Sequence, residues 1–340
     1  MRTNETMKCE LCGSTSQLKY KGLQGYQLGM KFNIYACDTC ETSFSIPRAD
    51  TSKIYNAIYS NGEKVPGYNR YWSYMKEVQQ QENPLQFLAN SEEAFWGIKK
   101  GLEALVPDKK TTKILELGSG LGYLTYALTK EGYNIEGLDI SSEAVAQANK
   151  TFGDYYVCAD VHKYALEKPE AYDIVILTEV IEHIEEPIAF MESIKKLLRK
   201  DGHMIVTTPN KTLIPSDIVW DTEAPPVHHW WFSENSMQYM AKTLHLETEF
   251  IDFTKYYFNH PEAYKTNKRR KRVERKPILN EQGELIDISH YATDTTPAHV
   301  LQKKAAKKRK FLKLRAALAP STIIFGEKGK TLCAVLKKKS

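Results

Sequence analysis

Three glycines lie within five positions directly after an apolar run, in the segment ILELGSGLGYLT. Gly118, Gly120 and Gly122 let the backbone come close to a bound ligand, because they carry no side chain. The segment lacks the Gly-Lys-Ser/Thr ending of a phosphate-binding loop, and Tyr123 stands where a dinucleotide fingerprint has its last glycine. Glu116, just before the turn, would repel a pyrophosphate and suits a cationic ligand.

Two further carboxylates end the next two predicted strands. Asp139 ends the strand YNIEGLDI, where it can accept hydrogen bonds from both hydroxyls of a ribose. Asp160 ends the strand YYVCAD, where it can accept from the amino group of an adenine. S-adenosylmethionine has a ribose, an adenine, a sulfonium and an ammonium group, and no phosphate. We therefore expect this cofactor at the carboxyl edge of the sheet, where open α/β sheets bind their ligands.

A methyl group leaves a sulfonium without acid assistance, but an oxygen or carbon acceptor must lose a proton. The candidate bases Glu179, Glu182 and His183 follow the fourth strand of this region. His183 is the preferred base because a neutral imidazole titrates near physiological pH. Two alternatives stay open: these residues bind a divalent cation that polarises an acceptor oxygen, or His183 only packs at the start of the next helix.

Two aromatic stretches of the sequence can each be interpreted in two ways, as part of a functional site or as packing. In PPVHHWWFS, His228 and His229 are further catalytic candidates, and the aromatic residues after them either line an acceptor pocket or close the core below a loop. A tyrosine-rich stretch begins earlier in the chain and is either a lid over the cofactor or packing between two parts of the protein. Its members are Tyr55, Tyr59, Tyr68, Tyr71 and Tyr74.

Two CxxC pairs, separated by 24 residues, suit tetrahedral coordination of zinc by four thiolates. The predicted ligands are Cys9, Cys12, Cys37 and Cys40. The beginning MRTNETMKCELCG has no apolar signal-peptide core, which disfavours disulfides and predicts a cytoplasmic protein. The alternative is a set of unconnected cysteines in a loop-rich arm. Cys158 and Cys333 lie in apolar runs and are expected in the core.

Strands and helices alternate from residue 112 onward, which predicts a parallel sheet covered on both faces. Ser141 is the expected N-cap of the helix after the second strand. Two long helices are also predicted: PLQFLANSEEAFWGIKKGLEALV, and EPIAFMESIKKLLRKDG ending at Gly202.

The motifs ILELGSGLGYLT, GLDIS and YDIVILTEVIEHIEEP resemble class I S-adenosylmethionine-dependent methyltransferases over about residues 112–254 and the final strand. TEVIEHIEEP is especially similar to the ubiquinone-biosynthesis type of methyltransferase. One implication of this resemblance is that Glu179, Glu182 and His183 bind Mg²⁺. The resemblance implies a Rossmann-like α/β fold with a seven-stranded, mostly parallel sheet. The predicted cofactor-binding residues are Glu116, Gly118, Ser119, Gly120, Gly122, Asp139, Ile140, Asp160, Val161 and Thr178, and the predicted catalytic residues are His183, Glu182 and His229.

A zinc ribbon and a tyrosine-rich arm before such a domain resemble bacterial methyltransferases of sugars and secondary metabolites. The predicted division is a zinc ribbon at 1–50, a tyrosine-rich and helical arm at 51–110, a methyltransferase domain at 111–258 plus 326–340, and a basic insert at 259–325.

The basic insert is the main source of positive charge in a chain whose net charge is only +5. Lys265 to Arg315 contain 16 lysines and arginines against five acidic residues. Such a segment suits an anionic substrate, an anionic membrane surface or nucleic acid, and it can equally be a solvated face. No apolar run is long enough for a transmembrane helix.

Together these features predict an enzyme that methylates a hydroxyl-bearing small molecule, sugar or glycan intermediate, with O-methylation preferred and C- or N-methylation open. The alternative is an RNA methyltransferase that holds RNA with its ribbon and basic insert. Against it, TEVIEH stands where base-amine methyltransferases have an Asn/Asp-Pro-Pro-Tyr type loop, and aromatic RNA-binding signatures are absent from the sequence. A binding protein without catalysis is disfavoured by the intact glycine turn and the three acidic strand ends.

Overall fold

A computed structural model describes residues 5–65, 67–213, 224–261, 276–289 and 327–339, together with residues 263, 291, 300, 302–307 and 310. Most of the predicted basic insert lies outside these residues. Within the described part, no helix is both long and apolar enough to cross a bilayer.

The N-terminal part is a small antiparallel sheet followed by helices. Its first four strands are β1 Thr6–Lys8, β2 Thr15–Gln24, β3 Lys31–Cys37 and β4 Ser43–Ile46. The helices are α1 Ser52–Asn61, α2 Asn69–Glu77, the 3₁₀ helix Val78–Gln80, α3 Pro84–Ser91 and α4 Glu93–Leu105. The single long helix predicted here is wrong: Glu92 is extended (φ −141°, ψ 151°) and separates α3 from α4.

A second, larger sheet forms the centre of the protein, with helices between its strands. The elements up to the fourth strand are β5 Lys113–Leu117, α5 Tyr123–Lys130, β6 Asn134–Asp139, α6 Ser142–Phe152, β7 Tyr156–Cys158, α7 Val161–Glu167 and β8 Tyr172–Thr178. After it come the 3₁₀ helix Ile181–His183, α8 Pro187–Leu197, β9 Leu198–Pro209, the 3₁₀ helix Lys211–Leu213, β10 Trp230–Trp231, α9 Glu234–Thr243, β11 Leu246–Phe250, α10 Thr254–Asn259 and β12 Thr331–Lys338.

The large sheet has seven strands in the order β11-β12-β9-β8-β5-β6-β7. β12 runs opposite to the other six strands, which are parallel to one another, so the predicted seven-stranded, mostly parallel sheet is confirmed. The predicted N-cap is also present, since the Ser141 hydroxyl accepts from the backbone N–H of Ala144. The helix predicted to reach Gly202 ends at Leu197, because the chain turns directly into β9.

The buried core covers both faces of the large sheet. One cluster joins Leu115, Leu177 and Val206 to residues of the small sheet such as Phe44, so the two sheets share one continuous core. Cys333 is buried as predicted, but Cys158 is exposed because it is the last residue of the edge strand β7.

The small sheet is completed from the other end of the chain. Its order is β1-β2-β3-β4-β10, and β10 pairs with β4 through Trp230 opposite Phe44. The segment just before β10, which carries two histidines, is therefore held by the N-terminal sheet. The Ser45 backbone N–H donates to the His229 carbonyl over 3.0 Å, and its hydroxyl donates to the His228 carbonyl over 3.4 Å.

Candidate active site

A cavity of about 860 Å³ lies at the carboxyl ends of β5, β6 and β8. Its strand-end side is lined by Glu116, Gly118, Ser119, Gly120, Asp139, Ile140, Asp160, Val161 and Thr178. Its arm side is lined by Tyr55, Tyr59, Tyr68, Arg70, Tyr71, Glu182, His183 and His228. All but two of the predicted cofactor-binding and catalytic residues therefore line one cavity; the exceptions are Gly122 and His229.

The three glycines of the turn have different structural roles, although all have positive φ angles of +75°, +49° and +82°. A Cβ at Gly118 would lie 2.5 Å from a Val180 methyl group, and one at Gly122 would lie 2.7 Å from the Tyr156 ring. A Cβ at Gly120 would meet nothing within 4 Å. Packing accounts for the first and third glycines, whereas Gly120 leaves the backbone open toward the cavity.

Glu116 is a buried carboxyl group at the end of β5. Burial raises its pKa to about 8, although the Thr125 hydroxyl donates a hydrogen bond to it and opposes this shift. Thr125 lies on α5, and sequence reasoning missed it because only the fold brings the helix beside the strand. A cation that binds beside this largely protonated carboxyl group would favour its ionised form and be attracted to it.

The Asp139 carboxylate joins the glycine turn to the loop after β6. One of its oxygens accepts from the Gly120 N–H over 2.7 Å, and the other accepts from the Ser141 N–H over 2.9 Å. Burial raises the pKa of Asp139, and these two N–H groups partly offset that effect. Each oxygen keeps further lone pairs for a ligand, because a carboxylate oxygen can accept more than one hydrogen bond.

Other groups on the strand-end side have unused hydrogen-bonding capacity or an exposed apolar surface. Asp160 caps α7 by accepting from the Lys163 N–H over 3.1 Å, which uses one of its two oxygens. Ile140 is 74% exposed although it is a large apolar residue. The buried hydroxyl oxygens of Ser119 and Thr178 have no hydrogen-bond partner among the described residues. A bound ligand or ordered water would satisfy such groups.

His183 lies at the end of a 3₁₀ helix with its ring orientation determined by the backbone. Its Nδ1 is 2.7 Å from the Val227 carbonyl oxygen, and a carbonyl only accepts hydrogen bonds. Nδ1 therefore carries the hydrogen, and Nε2 carries the lone pair in the neutral ring. Nε2 is 3.8 Å from Oε1 of Glu182, whose other oxygen accepts from the Thr208 hydroxyl over 3.0 Å.

Glu182 and His228 complete a compact group with His183. The rings of His183 and His228 are 4.6 Å apart and nearly perpendicular. Burial lowers the pKa of His228 well below its usual value and raises that of Glu182, where His183 opposes the shift. The three residues offer atoms within 4.8 Å of one another, close enough for a shared ion or ligand. Glu179, predicted as a third ligand with Glu182 and His183, is not part of this group.

His229 and the aromatic residues after it lie behind the cavity wall. The His229 N–H donates to the Glu182 carbonyl over 2.9 Å, and burial lowers the pKa of its side chain to about 3. Trp230 donates from Nε1 to the Ile184 carbonyl over 2.7 Å and stacks on Phe232. These contacts favour the interpretation that the aromatic run closes the core, rather than lining an acceptor pocket.

The tyrosine-rich stretch covers the arm side of the cavity through α1 and α2. Arg70 is held in place by Glu92, the residue at the break between α3 and α4, over 2.8 Å. The same guanidinium donates to the hydroxyl of Tyr71 and to the Gly67 carbonyl. Tyr74 does not line the cavity and donates to Glu92 instead. Sequence reasoning missed Arg70 and Glu92, because neither belongs to a recognisable motif.

The four predicted zinc ligands come together at one end of the small sheet. Cys9 and Cys12 lie in the turn between β1 and β2, and Cys37 and Cys40 lie where β3 turns into β4. The Sγ atoms of Cys9 and Cys40 are 3.7 Å apart, and those of Cys12 and Cys37 are 3.6 Å apart. These distances exceed the roughly 2 Å of a disulfide. They match the spacing of about 3.8 Å that tetrahedral ligands have when each metal–sulfur bond is about 2.3 Å.

Comparison with known proteins identifies a domain. Residues 91–249 match a family described as a methyltransferase domain. Ubiquinone biosynthesis O-methyltransferase of Aliivibrio fischeri is 30% identical over 106 residues, which are 30% of this chain and 45% of that protein. The same enzyme of Actinobacillus pleuropneumoniae is 30% identical over 110 residues, 30% of this chain and 47% of that protein. The chain thus spans about half the length of these curated relatives.

Solved structures give more distant similarities. A Thermotoga maritima protein, described as a possible histamine N-methyltransferase, superposes with a TM-score of 0.46 at 14% identity over 84% of this chain and 100% of that one. Phosphoethanolamine N-methyltransferase 2 of Haemonchus contortus gives 0.45 at 16% identity over 88% of this chain and 62% of that one. The matched family, the observed sheet order and the glycine turn at the end of β5 identify residues 91–249 as a methyltransferase domain with the fold of the class I S-adenosylmethionine-dependent methyltransferases.

Proposed function

We propose that this protein transfers a methyl group from S-adenosylmethionine to a hydroxyl group of a small molecule, sugar or glycan intermediate. The observation that carries the proposal is a single cavity with an acidic, glycine-lined strand-end side and an imidazole on the arm side whose Nε2 carries a lone pair. The curated relatives, which are named as O-methyltransferases, favour oxygen as the acceptor atom.

On the strand-end side, each group has a role that fits the cofactor. The buried Glu116 lies where the charged methionine part would approach, and the open backbone at Gly120 lets it come close. The free lone pairs of Asp139 can accept from the two ribose hydroxyls. Asp160 and the exposed Ile140 would meet the polar edge and the flat face of the adenine. When bound, the cofactor supplies an electrophilic methyl group on a positively charged sulfur.

On the arm side, His183 would remove the acceptor proton. Its Nδ1–H is committed to the Val227 carbonyl, so Nε2 is the nitrogen that can take a proton. The adjacent Glu182 would stabilise the imidazolium once it has formed. The covering α1 and α2 would exclude water from the reaction and align the acceptor, which are the main contributions a protein makes to a displacement of this kind.

We also propose that the four cysteines bind a structural zinc ion. The chain would then divide into a zinc ribbon at 1–50, an arm at 51–110, a methyltransferase domain at 111–258 plus 326–340, and a basic insert at 259–325. Four thiolates at tetrahedral spacing form a closed site with no position for a substrate. The fit rests on the Sγ distances and on the two turns that carry the pairs. Zinc would then stabilise the sheet to which β10 is attached.

Cofactor binding provides the direct test. Calorimetry should show that S-adenosylhomocysteine binds and that NADH does not. Asp139→Ala should weaken this binding about 10- to 100-fold, because hydrogen bonds to a charged group contribute about 1.5–3 kcal/mol each. Asp139→Asn is the matched variant that keeps the side-chain size. Binding of NADH, or unchanged binding of S-adenosylhomocysteine to Asp139→Ala, would contradict the proposed function.

A further inference from the structure

Residues 227–230 contact His183 and the residue on either side of it. The Val227 carbonyl oxygen lies 2.7 Å from Nδ1 of His183. The His229 N–H donates to the carbonyl of the residue before His183 over 2.9 Å, and the Trp230 indole N–H donates to the carbonyl of the residue after it over 2.7 Å. Hydrogen bonds within a 3₁₀ turn have poor geometry, so these outside contacts determine the direction of the imidazole ring.

Arg48, the second residue after β4, contacts the same segment from the small sheet. Its Nη1 donates to the His229 carbonyl over 3.4 Å, and its Cζ lies 4.8 Å from the centre of the Trp230 ring. Its Nη2 forms an ion pair with the carboxylate of Glu10, which stands inside the first CxxC pair. One guanidinium can make all three contacts because it is a planar cation with several N–H donors.

We propose that Arg48 is a positioning residue for His183. Through His229 and Trp230 it connects the turn of the first cysteine pair to the turn that carries the imidazole. Arg48 is not among the residues that line the cavity, so it acts on the reaction only through this connection. The inference rests on the proposed function, in which Nε2 of His183 takes the acceptor proton.

Trp230 makes this connection stiff. Its side chain is buried, with the residue only 1% exposed, and its ring centre lies 5.8 Å from that of Phe44 and 5.9 Å from that of Phe232. A ring packed on both sides cannot shift without moving its neighbours. A change in the place of Arg48 would therefore reach the hydrogen bond that the indole N–H donates beside His183.

The tautomer of His183 tests the connection without any acceptor. In a free neutral histidine the hydrogen lies mainly on Nε2, whereas the contact with the Val227 carbonyl requires it on Nδ1. The Nδ1–H form should therefore predominate in the wild type. Proton–nitrogen NMR spectra of the full chain, labelled with ¹⁵N at its nine histidines, measure the ratio of the two forms. The His183 signal is the one that disappears in His183→Ala.

Arg48→Gln and Trp230→Phe should each lower the ratio of the Nδ1–H to the Nε2–H form about three- to tenfold, as the weakening of one hydrogen bond predicts. Arg48→Lys keeps the positive charge and should retain part of the ratio. The matched control is Lys21→Gln, which removes an exposed ion pair with Glu5 elsewhere in the small sheet. It should leave the His183 signal unchanged.

Two outcomes would overturn the inference. One is a tautomer ratio that stays unchanged in both Arg48→Gln and Trp230→Phe, even if their melting temperatures fall, because the two residues would then contribute only to stability. The other is an equal change in Lys21→Gln. The inference and the proposed function fail separately: S-adenosylhomocysteine binding tests the function, whereas the His183 tautomer is measured without cofactor.

Discussion

The two sides of the cavity are built in different ways. The strand-end side comes from one stretch of chain, between Glu116 and Thr178, in which each group follows a strand of the same sheet. The arm side is assembled from three distant stretches, around Tyr55, His183 and His228. The first arrangement results from a local strand–turn–helix pattern. The second depends on contacts between the small sheet, the helical arm and the large sheet.

This difference means that cofactor binding and acceptor chemistry should respond separately to substitution. Changes in the stretch 116–178 should alter cofactor affinity. Changes in the arm, in the small sheet or around His228 should alter turnover and leave that affinity nearly intact.

The largest effect is expected for His183→Ala. Loss of a general base lowers turnover by about 10²–10⁴-fold, whereas affinity for S-adenosylhomocysteine should stay within about twofold because the ring lies on the arm side. Steady-state kinetics and calorimetry on the same preparation check both statements. His203→Ala, in β9 and outside the cavity, is the control. An equal loss of turnover and of affinity would show that the two sides are not separable here.

The second prediction concerns Cys37→Ser, which removes one of the four predicted zinc ligands. Metal analysis should find one zinc per wild-type chain and none in the variant. Because β4 holds the backbone of His228 and His229, turnover should fall about tenfold or more, while cofactor affinity changes little. Cys158→Ser is the matched control, since that thiol is exposed and lies outside the cluster. A folded wild type with four free thiols and no zinc would contradict the prediction.

The third prediction uses two glycines with positive φ and open space around them. Gly120→Ala and Gly132→Ala each place a side chain in a left-handed conformation, which costs roughly 1–2 kcal/mol of stability. Of these two glycines, Gly120 lines the cavity and Gly132 does not. Gly120→Ala should therefore also weaken S-adenosylhomocysteine binding, by about tenfold, and Gly132→Ala should not. Thermal melting and calorimetry separate the two effects. Equal weakening in both variants would indicate a general loss of stability.

The smallest effect is a proton released on cofactor binding. Burial raises the pKa of Glu116 to about 8, so this carboxyl is mostly protonated at pH 7 in the free protein. A bound sulfonium and ammonium favour its ionised form, and binding should release a fraction of a proton. Calorimetry in buffers of different ionisation enthalpy measures this number, and Glu116→Gln should release none.

The raised pKa of Glu116 also makes the stability of the folded protein depend on pH. In the free protein the folded state binds the Glu116 proton more tightly than the unfolded state does, so the free energy of unfolding should fall as pH rises from about 4.5 to about 8. In Glu116→Gln that part of the pH dependence should be absent. A wild-type proton release that persists in Glu116→Gln would assign it to another group.

Much of the strand-end side could be predicted because its determinants are local. An apolar run followed by glycines specifies a buried strand and a turn, and the acidic residues that end successive parallel strands meet at one sheet edge. The seven-stranded sheet and the grouping of four cysteines, whose sulfur atoms lie within 4.8 Å of one another, follow from the same kind of pattern. The break at Glu92 could not be predicted, because the apolar spacing on both sides of it suits one continuous helix.

On the arm side, the amino-acid types alone determined only that His183, His228 and His229 were candidates for chemistry. The tertiary structure decided which of them face the cavity. In the folded protein, His228 lines the cavity and His229 lies behind the cavity wall, since the pairing of β10 with β4 orients the backbone of both. Trp230 in β10 and Phe232 just after it are both buried, so they close the core and do not line the cavity. Sequence by itself determined the strands, the turn and the kinds of group at their ends, because these depend on near neighbours. Which side chains line the arm side of the cavity depends on contacts between segments more than 100 residues apart, such as Phe44 and Trp230. Only the folded chain brings those segments together.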